Sequence, residues 1–221
     1  MKRKFLIIGL GGFGRSVLKE LHNLEQEVVG CDKSIETLDE LESHATFLVE
    51  GDATEDAVLE ELNATDYDTI LVSMGDNFEA AILIVTKLKN MGCQNIISKA
   101  NDHVREQVLK AVGAKHVILP EEEAGIRLAN KIAHPEILER FLLGARCEAV
   151  EVKVPKEYIG KTIIETNIRK KYKTTIILIH REGSEKPIIS PEPTEVLKEG
   201  DRLLLVGEEE NIEKMQKKFE E

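Results

Sequence analysis

Phe5–Leu21 reads FLIIGLGGFGRSVLKEL, and its interpretation decides the fold. An apolar run, Lys4–Gly9, meets a glycine-rich turn. Beyond it Val17, Leu18 and Leu21 recur at helical spacing within Ser16–Leu24. Strand, glycine turn, helix is the context in which Gly9-x-Gly11-x-x-Gly14 becomes informative; alone, that spacing is common. The first glycine permits the tight turn, the second lets backbone approach a phosphate, and the third lets helix pack closely on strand. Free N–H groups and the positive dipole end at the helix start favour an anion there. Gly12, Phe13 and Arg15 complete the turn and the first helical turn. Arg15 either reaches a phosphate or lies on the helix surface.

A dinucleotide site also needs an acid at the end of the second strand. Asp32 closes EVVGCD at that place. Its carboxylate either accepts from ribose hydroxyls, which would disfavour a 2′-phosphate, or caps the helix that begins near Ser34. Lys33 follows it. Asp52, Ala53 and Thr54, in Gly51-Asp52-Ala53-Thr54, follow the third strand, where an adenine ring would lie. Asp52 either accepts from the adenine amino group or caps a helix. Ser73, Met74 and Gly75 end the fourth strand near the expected phosphates, and Lys99 ends the fifth on the ligand side.

Around these motifs the chain alternates. Strands are expected at Lys4–Gly9, Glu27–Cys31, Thr46–Val49, Thr69–Ser73, Asn95–Lys99 and His116–Leu119, with helical periods at Ser16–Leu24, Glu79–Met91 and Val104–Val112. In the second of these Ala80, Leu83, Ile84 and Leu88 form the apolar stripe. Such alternation implies an α/β fold, a doubly wound parallel sheet of Rossmann type. Helices are expected at Glu122–Ala133 and Glu136–Leu143, broken by His134-Pro135, as a linker or dimer contact. From Cys147 the texture becomes that of a small α+β domain, with strands at Glu148–Val154, Thr174–His180, Pro187–Ser190 and Arg202–Val206 and a closing helix at Glu208–Phe219. The expected division is therefore 1–120, 121–146 and 147–221.

The 221 residues carry a net charge of -11, which argues against nucleic acid as a partner. Cys31, Cys93 and Cys147 form no Cys-x-x-Cys pair, which suits a reducing cytosol. No stretch reads as a membrane span or a signal peptide. A Rossmann-type NAD-dependent oxidoreductase is the rival class. It needs a proton-relay histidine with a carboxylate partner, and the last 75 residues offer only His180. A soluble redox sensor controlling transcription would need a DNA-binding module, and none is visible.

Several segments together resemble the KtrA/TrkA family, in which an RCK N-domain precedes an RCK C-domain. They are FLIIGLGGFGRSVLKEL, CDKSIETLDEL, GDATED, SKANDHVREQVLKAVGAKHVILPEEEAG, NIRKKYKTTIILIHREG and LKEGDRLLLVG. The resemblance spans essentially the entire chain, in the family's order. It implies a cytosolic regulatory subunit, not an enzyme, held at the inner face of the plasma membrane by an integral-membrane potassium-transporting partner. It implies dimers that assemble into rings, commonly octamers, with NAD(H) or ATP/ADP in the N-domain. Gly9, Gly11, Gly14 and Asp32 match the family's nucleotide site, Asp52 and Ala53 its adenine side, and Lys99 a basic residue near the phosphates. Glu121 matches a glutamate linked to Mg²⁺, Ca²⁺ or Na⁺. The chain departs from the ATP type, which can carry an Arg between the second and third glycines, where Gly12 and Phe13 stand here. In some relatives cyclic di-AMP binds the C-domain, in a pocket that Ile163, Ile164, Ile168, Arg169 and Pro191 resemble. Those isoleucines equally suit a C-domain core.

Overall fold

The computed structural model describes residues 2–133, 137–144 and 146–219. The chain divides into two compact units, Met1–Gly125 and Ile126–Glu221.

The first unit alternates strand and helix. Its strands are β1 (Lys4–Ile8), β2 (Glu27–Asp32), β3 (Phe47–Glu50), β4 (Thr69–Val72), β5 (Ile96–Lys99) and β6 (His116–Ile118). Between them run α1 (Gly12–Asn23), α2 (Ile35–Asp39), α3 (Asp56–Glu61), α4 (Phe78–Asn90) and α5 (His103–Val112); α6 (Pro120–Ala133) follows β6. The sheet is parallel in the order β3-β2-β1-β4-β5-β6, so the strand order reverses at β1, between β2 and β4. That switch point is where open α/β sheets bind ligands, beyond the carboxyl ends of the strands. Both faces of β1 are buried, which explains its unbroken apolar run. Leu6 and Ile8 face a core with Ile70, Ile84 and Leu88, whereas Ile7 joins Leu10, Leu18, Val28 and Leu71 on the opposite face.

Side-chain caps place the helix starts near the site. Asn77 Oδ1 accepts from Ala80 N at the start of α4, and Asp102 Oδ1 accepts from Arg105 N at the start of α5. Leu83 lies off the expected stripe: it is exposed, and α4 buries Ala80, Ala81, Ile84, Val85 and Leu88 instead.

The second unit holds β7 (Ile137–Gly144), β8 (Cys147–Lys153), α7 (Ile163–Thr166), α8 (Ile168–Tyr172), β9 (Thr175–His180), β10 (Ile188–Ile189), β11 (Arg202–Glu208) and α9 (Glu209–Phe219). Its five-stranded sheet runs β10-β9-β11-β8-β7, antiparallel throughout. Val150, Val152, Ile179, Leu203 and Leu205 meet Ile168, Tyr158, Ile212 and Met215 in its core.

The structure corrects the helix expected at Glu136–Leu143. Residues 137–144 form an edge strand paired with β8, from Ile137↔Val152 to Gly144↔Cys147. Ile137 and Phe141 have helical spacing, but pairing with a neighbouring strand outweighs that local preference. The His134-Pro135 break lies outside the described residues.

Candidate functional site

The glycine turn is shaped by contacts of the backbone with itself. Gly9 has φ +87°, a left-handed conformation that favours glycine. A Cβ there would sit 2.8 Å from the Ser73 carbonyl oxygen and from Met74 Sδ. A Cβ on Gly14 would run into the Gly9 carbonyl oxygen, with Ser73 Oγ 3.3 Å away. Gly9, Gly14 and Ser73 therefore lock the turn against the end of β4. Gly11 and Gly12 differ: a Cβ on either meets nothing within 4 Å. Gly11 is the N-cap of α1 and makes no side-chain cap. The first N–H groups of a helix have no intrahelical partner, so the open space at this uncapped helix start suits a phosphate.

Asp32 ties this turn to the next crossover. Its Oδ2 accepts from Leu10 N at 2.6 Å, and its Oδ1 accepts from Ser34 N at 3.0 Å. Ser34, not Asp32, caps α2, through Oγ to Thr37 N at 3.2 Å. Each carboxylate oxygen carries two lone pairs, so acceptor capacity remains for ribose hydroxyls. Asp32 lines a cavity of about 110 Å³ with Ile8, Gly9, Cys31, Lys33, Gly51, Ala53 and Met74. Sequence expectation and cavity thus share Gly9, Asp32, Lys33, Ala53 and Met74. Cys31 had not been singled out. Burial, then the Asp32 and Asp52 carboxylates, push its thiol up to about 11, so it is a protonated, inert part of the wall at neutral pH.

Asp52 is more committed than the sequence suggested. Its Oδ1 accepts from both Thr54 N, at 2.9 Å, and Thr54 Oγ1, at 2.6 Å. Its Oδ2 pairs with Lys33 Nζ at 2.6 Å. The Lys33 hydrogen bond, followed by those from Thr54, holds the carboxyl at about 2. Oδ1 has both lone pairs in use, and a base amino group would have to share Oδ2 with Lys33.

Arg15 turns to α2: its guanidinium bonds Glu40 at 3.0 Å and the Leu10 carbonyl at 3.3 Å. It does not line the cavity. Phe13 packs against the core that includes Leu10 and Leu18.

Lys99 and Glu121 meet at 2.5 Å, and this bond, more than any other contact, lowers the Glu121 carboxyl. A Cβ on Gly75 would lie 3.0 Å from Lys99 Nζ, so the lysine runs over the loop after β4. Asn101 Nδ2 donates to the Gly75 carbonyl at 2.9 Å, fixing that loop from β5's end. Among the described residues no group of three His, Cys, Asp or Glu side chains could hold a metal ion. Glu121 instead pairs with the Lys99 ammonium.

In the second unit, Ile163, Ile164, Ile168, Arg169 and Pro191 all line one cavity of about 440 Å³, with Asn167, Lys170, Thr174, Ile176 and Pro193. The isoleucines divide between two roles. Ile168 is a core residue, Ile163 packs against that core, and Ile164 is exposed.

A doubly wound sheet with a glycine cradle, and an acid at the tip of its second strand, defines a Rossmann-type ligand-binding domain, here followed by a small antiparallel α+β unit. Residues 5–120 match the TrkA-N domain and residues 147–220 the TrkA-C domain. The chain belongs to the TrkA family of potassium-uptake proteins. It is 33% identical to Ktr system potassium uptake protein C of Bacillus subtilis, over 99% of this chain and 98% of that protein. It is 32% identical to Ktr system potassium uptake protein A of the same organism, over 97% and 96%. A solved structure of the GsuK channel superposes with a TM-score of 0.68 at 22% identity, over 98% of this chain and 39% of that one. The GsuK RCK domain gives 0.64 at 21%, over 98% and 47%. The chain thus spans less than half the length of these structural neighbours, and the likeness concerns the fold. No helix among the described residues is long and apolar enough to cross a membrane.

Proposed function

We propose that this chain is a cytosolic regulatory subunit that gates a separate potassium-transporting membrane protein in response to an adenine nucleotide, NAD(H) or ATP/ADP. The observation that carries the reading is the cavity at the sheet's switch point, lined by Gly9 of the glycine turn and by Asp32 at the end of β2, together with the open space at Gly11. A GsuK channel of similar fold was solved with NAD bound (TM-score 0.62, 22% identity), and the full-length relatives are potassium-uptake proteins. In this reading α1's N-terminus takes a phosphate, Asp32 takes the ribose, and Gly51 and Ala53 flank the base. Lys99 exchanges Glu121 for a phosphate oxygen. Any Mg²⁺, Ca²⁺ or Na⁺ near Glu121 draws most of its oxygens from the nucleotide, as suits a hard cation with one protein carboxylate.

Residues 121–146 serve as a dimer contact within a larger ring. Ile126 and Ile132 on α6, both more than half exposed, support this. The 440 Å³ cavity of the second unit takes a second, nucleotide-type ligand such as cyclic di-AMP, with Arg169 beside its phosphates and the isoleucines against its bases. Binding gates transport only through a difference in affinity between two conformations, typically 1–3 kcal/mol.

The test is potassium flux through a Ktr-type membrane subunit in vesicles, with this protein and NAD, NADH, ADP or ATP added in turn. Flux that changes between nucleotides supports the reading, and flux indifferent to all four refutes it. Steady turnover of NADH with simple carbonyl substrates would favour an oxidoreductase instead.

A further inference from the structure

We propose that Lys87, on α4, is a positioning residue for the base subsite, acting through the loop 51–56. The inference rests on the nucleotide reading above. Lys87 Nζ donates to the Thr54 carbonyl at 2.6 Å and pairs with Asp56 Oδ1 at 2.7 Å. Thr54 in turn donates through N and Oγ1 to Asp52, and Asp52 pairs with Lys33. A continuous polar chain therefore runs from the last turn of α4, through Thr54 and Asp52, to the end of β2. It brackets Gly51 and Ala53, the two loop residues that line the cavity.

The loop needs this external hold. Glu55, the N-cap of α3, makes no side-chain cap, and α3 has six residues, so the helix supplies little anchorage of its own. Lys87 stands on a rigid support, because Ile84, Val85 and Leu88 around it are fully buried. Its own side chain is 28% exposed, which leaves the ammonium less screened than an ordinary surface lysine. A lysine in the last turn of a helix is commonly accounted for by the helix dipole alone. This one instead satisfies a carbonyl thirty-three positions away in the chain. With Asp52 Oδ1 fully occupied, main-chain placement at Gly51–Ala53 decides how a base fits, and Lys87 sets that placement.

The test uses the full chain with Lys87→Met, Lys87→Gln and Lys87→Arg. Calorimetry with ADP and NAD gives affinities, and hydrogen exchange on the ligand-free protein reports the amides of residues 53–56. Lys87→Met and Lys87→Gln should each weaken ADP binding about five- to twentyfold, by loss of a charge-assisted bond, with faster exchange in the loop. Lys87→Arg should restore both to within about twofold of the parent. The glutamine variant serves if the methionine variant does not fold. Unchanged ADP affinity in the Met or Gln variant overturns the proposal, as does weakened binding with unchanged loop exchange or without rescue by arginine. If the parent protein itself binds neither ADP nor NAD, the nucleotide reading fails, and this inference with it.

Discussion

Gly11→Ala and Gly14→Ala should have opposite consequences, although the two positions belong to one motif. At Gly14 a new Cβ would overlap the Gly9 carbonyl oxygen. The turn must then open by more than an ångström against Ser73. Overpacking of this severity costs about 3 kcal/mol. At ~4 °C per kcal/mol for a unit of this size, the first unit should melt about 12 °C lower. At Gly11, φ is -63° and the space is empty, so alanine fits without strain. Alanine is a poorer N-cap than glycine by about 0.5–1 kcal/mol, and its lower unfolded-state entropy returns about as much. Stability should therefore stay within ~0.5 kcal/mol of the parent. The added methyl does occupy the approach to the helix N–H groups, so NAD and ADP should bind at least about tenfold more weakly, a loss of ~1.4 kcal/mol. Thermal unfolding by circular dichroism and calorimetric titration read the two effects separately. Gly11→Ala destabilised as much as Gly14→Ala would refute the reasoning, and so would Gly11→Ala binding both nucleotides at parental affinity.

Glu121→Gln should release Lys99 and tighten ADP binding in metal-free buffer about two- to fivefold, the equivalent of an ion pair whose carboxylate is exposed to solvent. Unchanged or weaker affinity by calorimetry would show that Lys99 does not exchange partners. Asp52 has its folded pKa depressed to about 2, so its contribution to the loop is complete above the ordinary value near 3.9 and is lost as pH falls through about 2. An NMR titration should find that midpoint, and Lys33→Met should raise it; a midpoint near 3.9 in the parent would exclude the ion pair. Asp201 is fully buried, bonds the Arg181 guanidinium at 3.2 Å and accepts from Lys198 N at 2.9 Å. Asp201→Ala should cost the second unit about 3 kcal/mol, measured by urea denaturation followed through tyrosine fluorescence; a loss below ~1 kcal/mol would contradict it.

Local rules suffice where chemistry and contact lie close in sequence. Gly9, Gly14 and Asp32 were legible because a strand ending in a glycine turn has few ways to fold, and the six strands fall within a residue or two of their expected limits. Ile163, Ile164, Ile168 and Arg169 share a cavity largely because two short consecutive helices, α7 and α8, carry them within seven residues. Elsewhere the deciding partner is remote. β7 has the spacing of a helix, and only β8 makes it a strand. The sequence leaves Arg15 between a phosphate and the helix surface, and only the packing of α2 puts Glu40 beside it. The sequence leaves Asp52 as either a base acceptor or a helix cap, because neither its Lys33 partner nor the hold on Thr54 from Lys87 is written into the local sequence. Lys87 itself gave no sign, since a lysine near a helix end is common, and its role exists only once α4 has packed beside the loop.

β1 pairs on one side with β2 and on the other with β4. β1 precedes both of its neighbours in the chain, and one of its edges waits for residues made roughly sixty positions later. At ~5–20 residues per second that is about 3–12 s on the ribosome, during which an apolar strand has an open flank. Lys4–Ile8 is thus the segment most exposed to misassociation during birth of the chain, and the one for which early contact with a holding chaperone would matter most.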